Sequence, residues 1–138
     1  MAEGNNLFQL EIITPDRIFY QGEAYMVEFT AEDGDIGVYK NHIPLTTVIA
    51  PGILNIKEAQ GEKKAALHSG FVQILPEKVT ILAEVIEWPD EIDENRAEEA
   101  RKRAEERLHS HTADIDTTRA EIALKKALVR LNFRKTGM

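Results

Sequence analysis

Ile92-Asp93-Glu94-Asn95-Arg96-Ala97 divides this chain into two kinds of sequence. Before it lie short runs of alternating polar and apolar residues. After it the pattern is helical to the end. Asp93 reads as a helix N-cap, because its carboxylate can accept the backbone N–H groups that the first turn leaves unpaired. Ile92 at N′ and Ala97 at N4 have the spacing of a weak hydrophobic staple. Arg96 falls at N3, where a glutamate or glutamine would complete a capping box and where a positive charge opposes the helix macrodipole. That cost suggests a second use for the guanidinium. The pattern returns at Ile115-Asp116-Thr117-Thr118-Arg119-Ala120, so two helices start on one signal. Capping explains both copies; the first copy is also a candidate for holding an anion or a nucleotide.

Downstream, Asp93 to Leu108 is rich in Ala, Glu and Arg, which favour helix. Its apolar stripe is Ala97, Ala100, Ala104 and Leu108. His109 to Ala113 reads as a turn. A His109-x-His111 pair resembles part of a zinc site, but no carboxylate or thiolate completes it. A second helix is expected from about Asp116 to Leu131 or a little beyond, with Ala120, Leu124, Ala127, Leu128 and Leu131 on one face. The tail is therefore an antiparallel helical hairpin. Each methyl buried in an alanine seam contributes roughly 0.8 kcal/mol, so the seam supplies only a few kcal/mol. A ligand or partner can shift an equilibrium of that size. The alternative is a permanently docked pair of helices.

Upstream, strands are expected at Leu7 to Thr14, Arg17 to Tyr20, Ala24 to Ala31, Ile36 to Tyr39, Leu45 to Ile49, Ile53 to Lys57, Lys64 to His68, Phe71 to Leu75 and Val79 to Ile86. Turn signals separate them at Pro15-Asp16, Gln21-Gly22, Asp33-Gly34, Pro51-Gly52, Gln60-Gly61, Ser69-Gly70 and Pro76-Glu77. Strands this short, so spaced, make an all-β sandwich or barrel. Glu32 to Asp35 has too few oxygen ligands for a calcium loop. His42 has no nucleophile or second ligand near it in sequence and reads as packed or hydrogen-bonded. Pro89 cannot extend a strand ladder and biases Trp88 away from helix. The domains are accordingly residues 1–87 and 88–138, and the fold class is α+β: an N-terminal β-sandwich followed by a C-terminal two-helix hairpin.

The 138 residues are 43% hydrophobic, ordinary for a folded protein, and contain no cysteine. Disulfide and thiolate chemistry are therefore excluded, which fits a cytosolic setting. No apolar run approaches the ~18 residues of a membrane span, and the first residues lack the pattern of a signal peptide. The net charge of −7 is uneven. Residues 1–87 carry 6 basic against 13 acidic side chains, whereas residues 88–138 carry 11 of each. The acidic first part argues against nucleic acid. From Arg119 to Lys135 the charge is mostly basic, which suits an acidic partner as well as a solvated face.

If the two helices fold back about a turn near residue 113, Arg96 faces Arg130 and Arg103 lies near Lys126. Arg96 and Arg103 are seven apart and share a face; Lys126 and Arg130 are four apart and share another. Four cations would then converge and repel one another. A polyphosphate would reverse the sign, and arginine forks match phosphate oxygens. Ala97 leaves room for a flat ring, and Asp93 or Glu87 can accept an amino or ribose hydrogen. Glu98, Glu99, Glu105 and Glu106 are competing partners for the same arginines.

At this point the sequence resembles the epsilon subunit family of bacterial F-type ATP synthases. The similarity runs through TPDRIFYQGEAYMV, DGDIGVYKNHIPL, PGILNI and SGFVQILPEKVTILAE in the first part, and through IDENRAEEARKRAEERL and DIDTTRAEIALKKALVRL in the second. The resemblance implies a sandwich of about ten strands followed by two helices. It also implies a non-catalytic rotor subunit that binds the γ subunit and the c-ring and couples proton flow to rotation. Its hairpin would rise to contact the catalytic α and β subunits and inhibit ATP hydrolysis. Its place would be peripheral, on the cytoplasmic face of the bacterial cell membrane, without insertion into it.

Bacillus-type members of that family also bind ATP on the closed hairpin, through an Ile/Leu-Asp-x-x-Arg-Ala motif. The motif falls here on Ile92, Asp93, Arg96 and Ala97, and further binding positions fall on Glu87, Arg103 and Arg130. Lys126 stands where the family usually has arginine, keeping the charge and losing the bidentate fork. The resemblance thus implies ATP as a regulatory ligand, with magnesium as a candidate companion, and no catalytic residue or catalytic cofactor. A stand-alone nucleotide-sensing adaptor is the other reading. An enzyme is disfavoured, since the chain has no phosphate-cradling glycine loop, nucleophile elbow or metal cluster.

Overall fold

The computed structural model describes residues 6–109 and 117–136, the last three of these by backbone alone. The chain forms two compact units, residues 1–86 and 87–138.

The first unit is a β-sandwich. Its strands are β1 (Phe8–Ile13), β2 (Ile18–Ala24), β3 (Met26–Ala31), β4 (Gly34–Val38), β5 (Leu45–Val48), β6 (Gly52–Glu58), β7 (Gly61–Ile74) and β8 (Lys78–Glu87, whose last residue belongs to the second unit). They hydrogen-bond in the order β2-β1-β8-β7-β6-β3-β4, and β5 pairs with β7. The inward side chains alternate as strand geometry requires. Phe8, Leu10 and Ile12 are buried on β1, Val27 and Phe29 on β3, Leu54 and Ile56 on β6, and Val79 and Ile81 on β8. Tyr20 of β2 donates its hydroxyl to Glu58 of β6, two strands far apart along the hydrogen-bonded path, so the two layers meet there. Burial first, and the Glu58 hydrogen bond second, push the Tyr20 phenol well above its ordinary pKa.

The described residues form eight strands, where the alternation pattern predicts nine and the family resemblance implies about ten. Two apparent turn signals lie inside strands. Gln21-Gly22 does not end β2, because Gly22 pairs with Leu10. Ser69-Gly70 does not separate two strands, because β7 runs through it, pairing with β6 before it and β5 after it. Gly70 has φ 139°, and a Cβ there would stand 2.2 Å from the Leu82 carbonyl oxygen. Glycine is used here for close backbone approach within a strand. The β3–β4 turn also sits one residue earlier than expected: Ala31 pairs with Gly34 across Glu32-Asp33.

One outer face departs from the apolar-in, polar-out rule. Ile18 pairs with Ile13, Ile13 pairs with Leu82, and Phe71 pairs with Val48. Gly70 against the Leu82 backbone sets Phe71 beside Leu82. Ile18, Leu82, Phe71 and Val48 are 58%, 51%, 53% and 38% exposed. Apolar side chains thus stand in the open on four strands, with the half-buried Ile13 of β1 between Ile18 and Leu82, and such a surface marks an interaction site.

The second unit opens with a 3-10 turn at Pro89–Glu91 that the sequence reading missed. Pro89 occupies its first position, where proline's missing N–H costs nothing. The Glu91 carboxylate accepts the Trp88 N–H at 2.9 Å. Helices α1 (Glu94–His109) and α2 (Thr117–Thr136) follow and pack on each other as a hairpin. Asp93 caps α1 as expected, accepting the Arg96 N–H at 3.2 Å. Ala97 and Ala104 of α1, with Ala120 and Ala127 of α2, are buried. Leu128, expected on the seam, is 39% exposed, because eight residues from Ala120 rotate it by about 80°. Phe133, not expected in the core, is buried on another side of α2. The second capping signal at Ile115-Asp116, His111 and most of the turn lie outside the described residues. Among the described residues no helix is long and apolar enough to cross a membrane.

Candidate functional site

A cavity of about 310 Å³ lies within the second unit, and its lining comes from the end of β8, the 3-10 turn and cap that follow it, and both helices. Glu87 is the last residue of β8. Glu91 comes from the 3-10 turn and Asp93 from the cap. Arg96, Ala97, Ala100 and Arg103 come from one face of α1, and Arg130 comes from α2. The volume is at the small end for ligand pockets.

The three arginines differ in their surroundings. Arg130 donates Nε to Glu87 Oε1 at 2.6 Å, and both side chains are 24% exposed. Arg96 and Arg103 take part in no ion pair among the described residues. Arg101, on another face of α1, is bound by Glu98 and, at 2.6 Å, by Glu105. The Glu98 hydrogen bond, first among its causes, holds that guanidinium more firmly protonated than an arginine ordinarily is. The glutamates of α1 thus pair with the arginine away from the cavity and leave the two at its rim without an ion pair among the described residues.

Of the residues singled out in the sequence, Glu87, Asp93, Arg96, Ala97, Arg103 and Arg130 line this one cavity. Ile92 and Lys126 do not. Ile92 is 5% exposed, the burial of a packing residue beside the cap, and Lys126 is half-buried on α2. Lys126, the fourth cation of the expected cluster, is thus absent from the lining. Three arginines meet three carboxylates, Glu87, Glu91 and Asp93. Two lining residues went unnoticed in the sequence. Ala100 is four residues after Arg96 and three before Arg103, so helical spacing alone would have found it. Glu91 had no such signal, because the 3-10 turn that places it was not foreseen.

The arrangement can bind an anion through guanidinium groups and accept hydrogen bonds from the same ligand through carboxylates. Ala97 and Ala100 contribute no side chain beyond a methyl group, so a ring can come close to the α1 backbone there. A larger cavity of about 600 Å³, within the sandwich, is lined by Asn6, Tyr25, Tyr39, Lys40, Asn41 and Ala59. It offers a single cation and no carboxylate. His42 lies beside it in sequence and contacts the Ile43 carbonyl through Nδ1 at 2.6 Å. Among the described residues no group of three or more His, Cys, Asp or Glu side chains could hold a metal ion.

Two family models cover the chain. Residues 7–89 match the ATP synthase delta/epsilon chain beta-sandwich domain, and residues 90–134 match the ATP synthase delta/epsilon chain long alpha-helix domain. The chain is similar to the ATP synthase epsilon chain of Caldanaerobacter subterraneus subsp. tengcongensis, with 46% identity over 91% of this chain and 92% of that one. It is 42% identical to the ATP synthase epsilon chain of Bacillus pumilus, over 90% and 94% of the two chains. With that of Clostridium kluyveri the identity is 44% over 98% and 100%. Among solved structures, a chain of the Euglena gracilis mitochondrial ATP synthase shares the fold with a TM-score of 0.79 and 21% identity, covering 89% of this chain and 78% of that one. A chain of the Tetrahymena thermophila mitochondrial ATP synthase central stalk and c-ring gives a TM-score of 0.56 and 14% identity, over 94% and 95%.

Proposed function

The chain belongs to the ATP synthase delta/epsilon chain family, as a non-catalytic subunit of the complex, and from that premise we propose that its helical hairpin is a nucleotide-controlled brake. ATP binds in the cavity between α1 and α2 and favours the closed hairpin. Without ATP the hairpin opens, reaches the catalytic α and β subunits and slows ATP hydrolysis. The observation that carries this reading is the cavity rim: Arg96 and Arg103 without an ion pair among the described residues, Arg130 held across from them on the other helix, and two small alanines between. Triphosphate oxygens suit the guanidiniums, and the exocyclic amine or ribose hydroxyls suit the carboxylates. The basic α2 face suits an acidic docking surface on the catalytic subunits.

The sandwich does the rest of the work. Its apolar stripe of Ile18, Leu82, Phe71 and Val48 docks on the γ subunit, and the unit sits at the foot of the central stalk against the c-ring. This holds the chain peripherally, at the cytoplasmic face of the bacterial cell membrane. Titration calorimetry of the whole chain with ATP, with and without magnesium, tests the hairpin reading. Saturable binding with one site per chain is expected. No heat at millimolar ATP would remove the brake and leave a stalk subunit alone.

A further inference from the structure

Glu87 and Arg130 are 43 residues apart in sequence and meet in one charge-assisted hydrogen bond, Nε to Oε1 at 2.6 Å. The bond is made at one edge of the guanidinium. The two terminal nitrogens, Nη1 and Nη2, carry no hydrogen bond to any described residue, and Arg130 lines the cavity. A guanidinium is a rigid planar fork, so fixing Nε fixes the plane in which the other two nitrogens donate. An unheld arginine must give up the freedom of its long side chain when it binds a ligand, and one already held gives up less. Both partners are only 24% exposed, so water competes for the pair less than it would at an open surface.

We infer that Glu87 is a positioning residue for Arg130, fixing the plane of its guanidinium at the cavity, and does not itself read the nucleobase. The inference rests on the proposed nucleotide reading. Among the cavity's carboxylates, Glu87 is the one that meets a lining arginine, whereas Asp93 and Glu91 accept backbone N–H groups, those of Arg96 and Trp88. The ligand class follows from the fork: an anion with paired oxygens, a phosphate chain, whose grip depends on Glu87 whatever base is attached.

The test measures ATP and inosine triphosphate binding to the whole chain by calorimetry. The second ligand carries an oxo group where adenine has its amine. Glu87→Gln is expected to weaken both nucleotides by about tenfold, leaving their affinity ratio within about twofold of wild type. Arg130→Lys, which keeps the charge and loses the fork, is expected to lower affinity similarly. Glu87→Gln added to it should then do little more, as coupled residues behave. If Glu87→Gln weakened ATP alone, the carboxylate would be reading the base and the inference would be wrong. Losses that multiply in the double variant would overturn it as well. Loss of the helical circular dichroism signal in Glu87→Gln would overturn it too, in favour of a purely structural pair. A wild-type chain that binds neither nucleotide would remove the nucleotide reading and this inference with it.

Discussion

Asp93 and Arg96 are three residues apart and are expected to separate cleanly by mutation. Asp93 accepts the Arg96 N–H, so its carboxylate holds the first turn of α1. Asp93→Ala should cost the hairpin about 1 kcal/mol, the usual loss for a cap, and weaken ATP binding as well, since it also lines the cavity. The Arg96 side chain is exposed and makes no ion pair among the described residues. Arg96→Ala should leave thermal stability within about 0.5 kcal/mol while lowering ATP affinity by about tenfold or more. Thermal melts followed by far-ultraviolet circular dichroism, beside calorimetry, read the two effects independently. Equal losses of stability would show that Arg96 serves the helix. At Gly70 the expectation is structural: Gly70→Ala sets a methyl against the Leu82 carbonyl at a positive φ, and should cost more than about 2 kcal/mol in urea unfolding. An unchanged midpoint would mean that β7 and β8 part without penalty.

The two helices form an element pair whose seam is mostly methyl groups. Ala97, Ala104, Ala120 and Ala127 are all buried, and together their methyls contribute only a few kcal/mol at roughly 0.8 kcal/mol each. Ligand linkage is of the same size: at a hundredfold excess over its dissociation constant, ATP adds about 2.7 kcal/mol. ATP should therefore raise the melting temperature of the helical signal and strengthen amide protection in α1 and α2, with the strands unchanged. Uniform protection across strands and helices would contradict a hairpin that responds as a unit. Balanced charge alters the expected switch at this scale. Because Glu87, Glu91 and Asp93 offset the arginines, closure without ligand is opposed less by repulsion than the four-cation pattern implied. The weakness of the alanine seam then carries more of the explanation for opening.

For the molecule as a whole, the division of labour predicts that removing residues 88–138 leaves a folded sandwich that still binds γ and no longer inhibits hydrolysis. The core of Leu10, Ile12, Phe29, Leu54, Ile81 and their neighbours supplies that independent stability. Co-purification with γ and ATPase assays of the reconstituted complex check both halves; a truncated chain that failed to bind γ would place the docking surface on the hairpin. Within the sandwich, Phe71→Glu and Leu82→Glu should weaken γ association by tenfold or more on the order of hot-spot losses. Their exposed positions should keep the melting temperature close to wild type. Normal association of both variants would mean that γ uses another face.

Periodicity and capping chemistry are local, and they carried far. The change from strands to helices near Pro89, the N-cap at Asp93, the shared face of Arg96 and Arg103, and the hairpin itself could all be read from residues a few positions apart. Partner choice between distant segments could not. Alternation says that Leu10 points inward, but not that β1 lies parallel to β8, or that β7 continues through Gly70 because a neighbouring backbone passes too close for a side chain. Likewise the spacing of Arg96, Arg103, Lys126 and Arg130 points to a cluster of positive charge, of which Lys126 does not line the cavity. That Glu87 would occupy Arg130, and that a 3-10 turn would bring Glu91 to the same rim, depended on where the chain folds back in space. Helix and strand preferences act over neighbouring residues, whereas an ion pair spanning 43 residues exists only once folding has brought its ends together.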